Sequence, residues 1–256
     1  MSNALYVAYR SGDKLNGKWG PIGRLEHVNS VYRFYYVQGA IDLSDFSPFP
    51  GMADLHAIYE SDELFPFFAN RLLVKSRPEF DRYLVWGGFD PKNPPDPIAV
   101  LSVTEGRRAT DSFELFPCPT PDADGNYINK FFLHGVQWMP ESALERIDKL
   151  QTGESLGIML DVSNDYDPNA VAVRTKDISN RFLIGYIPRY LAHDVRDLCK
   201  QREPDFYELT VEKVNPNAPL QQRVLCRMKA KWPTEFKPCS RNGFTPLANV
   251  LSPATI

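Results

Sequence analysis

The second half of the chain is a succession of short segments with the alternation of β-strands, and this rhythm constrains its fold more than any other feature. The six segments are KFFLHGVQW, SLGIMLDV, NAVAVRT, RFLIGYI, YELTVEKV and RVLCRMKAKW. Two helical segments, PESALERIDKL and PRYLAHDVRDLCKQ, interrupt them. No strand–helix–strand unit repeats, which disfavours a doubly wound parallel sheet. The pattern predicts a small β-barrel with two helices.

The first half begins with three segments rich in β-branched and aromatic residues, ALYVAYR, GPIGRLEHV and VYRFYYV. They predict a short antiparallel meander. The stretch DELFPFFANRLLVKSRPEFDRYLVWGG then has helical periodicity, which Gly87 and Gly88 end. PIAVLSV and SFELFP are predicted to close this half as strands. The whole chain is therefore predicted to be mainly β with α, an α+β protein.

Proline is frequent, with 22 residues in 256, and its clusters indicate where regular structure stops. Residues 116–130, FPCPTPDADGNYINK, contain three prolines and an Asp-Gly turn signal without apolar periodicity. We therefore predict a domain at 1–117, a linker at 118–129 and a second domain at 130–237. Residues 238–256 have little periodicity and are expected to form a flexible tail.

Charge and cysteine usage argue against several function classes. The formal net charge is −3; residues 1–127 hold 12 Lys and Arg against 17 Asp and Glu, and the remaining residues 17 against 15. This is far from the basic bias of an obligate duplex-DNA binder. The four cysteines form no CxxC pair and have no paired histidines nearby. Neither a zinc site nor a disulfide framework is predicted.

Signatures of catalysis and of membrane insertion are also missing from the sequence. No phosphate-binding loop, GxGxxG, HExxH or GxSxG pattern occurs, and the four histidines are isolated. No catalytic residue, metal or cofactor is therefore predicted. No apolar run reaches the about 20 residues of a membrane span, and the N-terminus has no long apolar signal core. We expect a cytoplasmic protein without a membrane partner.

The stretch DVSNDYDPNAVAV, residues 161–173, contains more than a turn requires. Asparagine and aspartate side chains bond back to main-chain amides in tight loops, which accounts for Asn164, Asp167 and Asn169. It does not account for Tyr166, whose ring cannot be buried in a hydrophilic loop. The sequence therefore predicts an exposed ring beside a carboxylate.

Two further segments offer groups that suit a nucleic acid. GYIPRYLA places Tyr186 just before a helix start that carries Arg189, and main-chain amides at a helix start attract phosphate. GVQWMP supplies Trp138. Aromatic platforms beside a cationic helix start hold single strands. The alternative, that Tyr186 is an ordinary strand residue and Arg189 merely solvated, stays open on the residues alone.

The segment from GVQWMPESALERIDKLQTGESLGIMLDVSNDYDPNAVAV to FLIGYIPRYLAHDVRDL resembles a HIRAN domain, over roughly residues 130–235. Such modules occur beside helicase-like regions and, in bacteria, alone or fused. The resemblance implies an OB-like barrel that receives the 3′ end of single-stranded DNA.

In the family's motif, asparagine, tyrosine and aspartate fall on Asn164, Tyr166 and Asp167 of this chain. The resemblance implies that Tyr166 stacks on the terminal base and that Asp167 accepts from the free 3′-hydroxyl. The aromatic of the first motif falls on Trp138. The resemblance also implies that Arg189 is the phosphate-binding cation and that Tyr186 lines the same pocket.

The chain departs from the family at two positions. Gln137 stands where an arginine would help to bind phosphate, and Met139 stands where a second aromatic residue is common. Both departures predict weaker binding than in the family and less strict recognition of the end.

The segments IGRLEH, YRFYYV, PFPGM and ELFPFFANRLL resemble the N-terminal subdomain of HipA-type serine/threonine kinases, over residues 1–117. The resemblance implies a small β-rich α/β lobe. No segment supplies a nucleotide loop, a catalytic loop or ordered metal-binding carboxylates, so the lobe cannot phosphorylate. The resemblance implies instead that the lobe docks on a separately encoded HipA-type kinase, as in split toxin–antitoxin systems.

Two functions follow from these features. The first is a non-enzymatic DNA-binding protein, with a regulatory or antitoxin-like role in a HipA-type toxin–antitoxin or phage-defence system. The alternative is an interaction or scaffold protein that docks on and inhibits a HipA-type kinase without binding DNA. A hydrolase is disfavoured because no nucleophile is paired with a base.

Overall fold

A computed structural model describes residues 4–12, 18–200 and 206–250. Within these ranges the chain forms eleven β-strands and six α-helices. The strands are β1 Ala4–Arg10, β2 Trp19–Val28, β3 Val31–Tyr36, β4 Ile58–Ser61, β5 Phe113–Pro117, β6 Asn126–Phe132, β7 Leu156–Leu160, β8 Val171–Thr175, β9 Leu183–Tyr186, β10 Tyr207–Val214 and β11 Val224–Lys231. The helices are α1 Gly39–Asp42, α2 Pro66–Ala69, α3 Phe80–Trp86, α4 Pro97–Thr104, α5 Glu141–Ile147 and α6 Arg189–Cys199. The prediction of a mostly β protein with some helices is confirmed.

Contacts divide the described residues into two compact units. The first unit takes the chain up to Val74, then Asp96–Cys118, then the chain from Cys239 onward. The second takes Lys75–Pro95 and Pro119–Pro238. Residues Lys75–Pro95, which lie within the first half of the chain, thus belong to the second unit. The chain from Cys239 onward belongs to the first unit.

One antiparallel sheet, in the order β4-β3-β2-β1-β5, forms the frame of the first unit. Strands β1, β2 and β3 are the predicted meander. Aromatic side chains fill its core, and the rings of Phe34 and Tyr36 meet edge to face with centroids 4.9 Å apart. The buried hydroxyl of Tyr36 donates to the carbonyl of Met52 at 2.9 Å and accepts from the amide of Phe49 at 2.8 Å. Both polar contacts remove the cost of burying that hydroxyl.

The segment PIAVLSV, for which the sequence predicts a strand, is helix α4. The carboxylate of Asp96 accepts from the amide of Ile98 at 2.8 Å, and Pro97 occupies the first helical position. These are strong helix-start features. A short apolar run fits a buried strand and a buried helix equally well, and here the N-cap decides between them.

The predicted flexible tail is also wrong over its described part. Phe244 packs edge to face against Tyr6 of β1, with ring centroids 4.8 Å apart. Pro246 forms a bridge with Val37, and the amide of Leu247 donates to the carbonyl of Tyr36 at 3.0 Å. Residues 239–250 are held to the first unit by these contacts.

Two three-stranded antiparallel sheets, β10-β11-β6 and β7-β8-β9, make up most of the second unit. The six strands predicted in the second half correspond to β6 to β11. The first is shifted, because β6 ends at Phe132 and Val136–Trp138 form a 3₁₀ turn. The two sheets meet at isolated bridges, His134 with Tyr186 and Ser155 with Thr210. Because the strand ladders stop at these bridges, the sheets remain separate. The predicted closed OB-like barrel is therefore not confirmed.

Three helices belong to the second unit: α3, α5 and α6. The two segments predicted to be helical, PESALERIDKL and PRYLAHDVRDLCKQ, contain α5 and α6. Helix α6 buries Leu191, Val195 and Leu198. Helix α3 ends at Gly87, as predicted. None of the helices in the described part of the chain is long and apolar enough to cross a lipid bilayer.

Candidate functional site

The turn between β7 and β8, residues 161–170, is held in shape by its own side chains. The side-chain oxygen of Asn164, Oδ1, accepts hydrogen bonds from the backbone amides of Tyr166 and Asp167, both at 3.1 Å. One oxygen of the Asp167 carboxylate accepts from the amide of Asn169 at 2.9 Å. The Asp161 amide closes the turn by donating to the carbonyl of Ala170 at 3.0 Å. The bonds to the Asn164 and Asp167 side chains are the side chain-to-backbone bonds that the sequence predicts for the loop.

The ring of Tyr166 points outward from this turn. Its side chain is 60% exposed, although the backbone on both sides of it is fixed by Asn164. An exposed aromatic ring on a fixed backbone loses little conformational freedom when it stacks on a ligand.

Arg189, the first residue of α6, faces the same turn. Its Nη2 donates to the carbonyl of Tyr166 at 2.7 Å, and its Nε lies 3.4 Å from a carboxylate oxygen of Asp167. The Arg189 and Asp167 side chains are 23% and 15% exposed. The helix start and the turn, 23 residues apart in the chain, therefore form one continuous surface.

A second link ties β9 to the same turn. The phenol of Tyr186 donates to one carboxylate oxygen of Asp161, Oδ2, at 3.1 Å. The side-chain amide of Asn164 donates to the same oxygen at 3.0 Å. The bond from Asn164 lowers the pKa of Asp161 most, and Tyr186 lowers it further. Burial raises the pKa of Tyr186, and the neighbouring Asp161 raises it too. The phenol is therefore a donor at neutral pH and braces the turn.

Asp161 is a residue to which the sequence analysis assigns no role. It follows directly after β7 and stands three residues before Asn164, the pattern of an Asx-type loop start. The position of Asp161 in the loop could therefore have been predicted from the sequence. Its hydrogen bond to Tyr186, 25 residues away, could not.

Trp138 lies in a neighbouring turn and is exposed. Residues Val136–Trp138 form a single 3₁₀ turn, and the Trp138 side chain is 79% exposed. Gly135 precedes the turn at φ +71° with the ring of Tyr186 against it, where an added Cβ would come within 3.2 Å of that ring. His134 pairs with Tyr186 through two backbone hydrogen bonds of 2.9 Å.

Four of the six predicted site residues are thus joined by direct contacts: Asn164, Tyr166 and Asp167 in the turn and Arg189 at the helix start. Tyr186 in β9 is joined to them through Asp161. Trp138 is joined to them through the backbone of His134 and Gly135. The turn and the helix start together present the exposed ring of Tyr166, a carboxylate and a guanidinium. Such a surface offers stacking for a base and charge for a phosphate.

Comparison with known protein families shows that the residues of this candidate site lie within a recognised domain. Residues 129–232 match the HIRAN domain family. A solved structure of a protein from Lactobacillus plantarum is 18% identical, with 41% of this chain and 97% of that chain covered and a TM-score of 0.33. The HIRAN domain of human HLTF is 17% identical, with 43% and 84% covered and a TM-score of 0.30. No curated protein matches the chain.

The domain assignment rests on the family match. The resemblance of the first half to HipA-type kinases is not shown by these comparisons and stays a prediction. The second unit of this chain therefore contains a HIRAN domain, at residues 129–232.

Proposed function

We propose that the second unit binds single-stranded DNA at a free 3′ end, without catalysis. The observation that supports this most is the contact between Arg189 and the carbonyl of Tyr166, which holds a cation beside an exposed ring. The presence of a HIRAN domain, a family that binds single-stranded DNA, agrees with this role.

In this proposal Tyr166 is the platform for the terminal base. Stacking of a base on an aromatic side chain contributes about 1–3 kcal/mol and tolerates any base. Trp138, which is more exposed than Tyr166, gives a second ring for a neighbouring base. Binding is therefore expected to depend on the strand and its end rather than on its sequence.

Arg189 contacts the phosphate of the bound strand. Its guanidinium has five N–H donors in a planar fork. The 2.7 Å bond to Tyr166 uses Nη2, and Asp167 lies at 3.4 Å from Nε, which leaves other donors for phosphate oxygens. The amides of the first turn of α6, which is eleven residues long, add to the attraction.

Asp167 recognises the end of the strand. One oxygen of its carboxylate accepts from Asn169, but each carboxylate oxygen has two lone pairs and can accept a further bond. A free 3′-hydroxyl is a donor to this carboxylate. A 3′-phosphate is repelled by it, so the proposal predicts a preference for the free end.

Fluorescence anisotropy with a 5′-labelled single-stranded DNA tests the proposal. The wild type is expected to bind a free 3′ end more tightly than a 3′-phosphorylated one, and binding is expected to fall with salt. Asp167→Ala should lose the preference, while Asp165→Ala, an exposed aspartate in the same turn, should keep it. Equal binding of both ends by the wild type would remove end recognition, and absence of binding would remove the proposal.

Docking on a HipA-type kinase remains the alternative function, and it rests only on the sequence of the first half. The two functions make opposite predictions for the Tyr166→Ala variant. DNA binding requires that ring, whereas capture of a co-expressed kinase by the first half should not. A stable complex with the kinase, together with absence of DNA binding in the wild type, would favour the alternative, in which the protein docks on the kinase and inhibits it.

A further inference from the structure

Helix α3 lies outside the segment that matches the HIRAN family, yet it belongs to the second unit. Its C-terminus is closed by two bonds, from the amide of Gly88 to the carbonyl of Val85 and from the amide of Phe89 to the carbonyl of Leu84, both 3.0 Å. Gly88 has φ +79°, the left-handed conformation that this type of helix end requires. The end of α3 is therefore fixed, and its last carbonyls point away from the helix.

Two residues at the end of β10 bind those carbonyls. The side-chain amide of Asn215 donates to the backbone carbonyl of Trp86 at 3.1 Å. The Lys213 ammonium donates to the backbone carbonyl of Val85 at 2.6 Å. Asn215 is 3% exposed, so its polar groups depend on protein partners. Gly88 lies close to the buried Leu225 of β11, where an added Cβ would come within 3.4 Å of Cδ2.

Asn215 also closes the loop between β10 and β11. Its side-chain amide donates to the backbone carbonyl of Gln222 at 2.9 Å, and its backbone amide donates to the carbonyl of Arg223 at 2.8 Å. Its own carbonyl accepts from the amide of Ala218 at 3.0 Å. One buried side chain therefore fixes the loop and attaches it to α3 at the same time.

This loop supports the turn that carries Trp138. The 3₁₀ turn Leu220–Gln222 packs against the 3₁₀ turn Val136–Trp138. The amide of Leu133, just before that turn, donates to the carbonyl of Val224 at 3.0 Å. Because the Trp138 side chain is exposed, its position depends on the backbone below it.

We propose that Asn215 is a positioning residue for the nucleic-acid site, through which α3 fixes the Trp138 turn. The inference rests on the proposed function and deepens it: a segment from outside the family domain, residues 75–95, sets the affinity of that domain for single-stranded DNA. Asn215 touches no nucleotide in this scheme and acts only through Trp138.

The test uses the full chain and a 5′-labelled single-stranded DNA with a free 3′ end. Asn215→Ala is expected to weaken binding roughly three- to tenfold, the usual effect of removing one or two hydrogen bonds. In a Trp138→Ala background the same change should alter binding less than about twofold, because residues acting through one another are not additive. Asn93→Ala, which removes an exposed asparagine bond within residues 75–95, is the matched control and should bind as the wild type does.

A second measurement does not depend on DNA. Hydrogen exchange of the amides of Trp138 and Met139, which close the 3₁₀ turn, should be faster in Asn215→Ala than in the wild type or Asn93→Ala. Should Asn215→Ala fail to fold, Gly88→Ala takes its place, since it strains the end of α3 without touching the loop. Faster exchange with absence of DNA binding by the wild type would support the link and overturn the proposed function.

Three results would overturn the inference. They are a folded Asn215→Ala protein with wild-type affinity, a loss of affinity that is equally large without Trp138, or unchanged exchange in the Trp138 turn. Loss of binding in Tyr166→Ala alongside any of these would leave the proposed function intact.

Discussion

The phenol of Tyr186 donates a hydrogen bond to the carboxylate of Asp161, at 3.1 Å, and so joins the last residue of β9 to the turn that carries Tyr166. Asn164 donates to the same carboxylate oxygen at 3.0 Å. One carboxylate thus holds both the strand and the asparagine that fixes the Tyr166 backbone. The site residues are positioned by this brace as much as by their own turn.

Removal of the Tyr186 hydroxyl should therefore destabilise the second unit. For Tyr186→Phe we expect the free energy of unfolding to fall by about 0.5–1.5 kcal/mol, the usual contribution of one hydrogen bond. Tyr166→Phe is the matched control, and because that side chain is exposed, it should change stability by less than about 0.5 kcal/mol. Urea unfolding measures both variants. Equal effects of the two substitutions would show that the brace contributes nothing.

The lowered pKa of Asp161 predicts a specific loss of stability in acid. The unfolded carboxyl, with an ordinary pKa of 3.8, takes up a proton at higher pH than the folded one. The stabilisation is therefore complete above the unfolded pKa and is lost as pH falls through the lower folded pKa. Unfolding free energies at pH 7 and pH 3 should differ less in Asp161→Asn than in the wild type.

The control for this comparison is Asp165→Asn, an exposed carboxylate in the same turn. It should retain the difference between the two pH values that the wild type shows. A difference in Asp161→Asn as large as that of the wild type would contradict the prediction.

Arg189 is expected to contribute to binding mainly through phosphate. Arg189→Ala should weaken binding of single-stranded DNA and reduce the slope of log K against log salt by about 0.7 for each phosphate that the arginine neutralises in the wild type. Arg189→Lys should keep most of the slope but lose the fixed fork that bonds Tyr166. Arg181→Ala removes an exposed charge from the loop between β8 and β9 and serves as the control. Identical salt slopes for Arg189→Ala and Arg181→Ala would argue against a phosphate contact at Arg189.

Gly185 is a position where only glycine fits. It has φ +151°, and an added Cβ would lie 2.9 Å from the carbonyl oxygen of His134, at the point where the two sheets of the second unit meet. Gly185→Ala is expected to destabilise the protein by roughly 1–3 kcal/mol or more, from the backbone conformation and the clash together.

The matched substitution Gly20→Ala places a Cβ 3.5 Å from Leu43, an ordinary contact, and should be tolerated. Thermal unfolding followed by circular dichroism compares the two variants. A melting temperature of Gly185→Ala equal to that of Gly20→Ala would contradict the expected strain.

Much of the local structure could be predicted from the sequence. Alternation predicted the strands β1 to β3 and, with a shift of the first, β6 to β11. The helical segment that begins at Pro188 was also predicted, and it contains α6. The outward position of the Tyr166 ring could be predicted because it depends on local chemistry. The polar neighbours of Tyr166 bond to the backbone of the turn, and a polar turn has no apolar interior that could bury the ring. Helix α4 was missed because a short apolar run has the same pattern in both structures.

The contacts between distant segments could not be predicted from these patterns. The sequence contains Asp161 and Tyr186, but their bond depends on how β9 lies beside the turn after β7. The same is true of Arg189 and the carbonyl of Tyr166. Resemblance to a family placed Tyr166, Tyr186 and Arg189 in one pocket, but not Asp161. Periodicity and turn chemistry alone left open whether these residues meet.

The sequence by itself determined most of the strands, the turn around Tyr166 and the type of domain in the second half. Alternation, side chain-to-backbone bonds and motifs act over a few neighbouring residues. Only the tertiary structure decided that two separate sheets meet at single bridges, that residues 239–250 pack on the first unit, and that α3 attaches to the second. Those outcomes depend on which buried surfaces and backbone groups find partners far along the chain. Asn215 illustrates this, since the two carbonyls that its amide nitrogen binds belong to Trp86 and Gln222, on either side of it in the sequence.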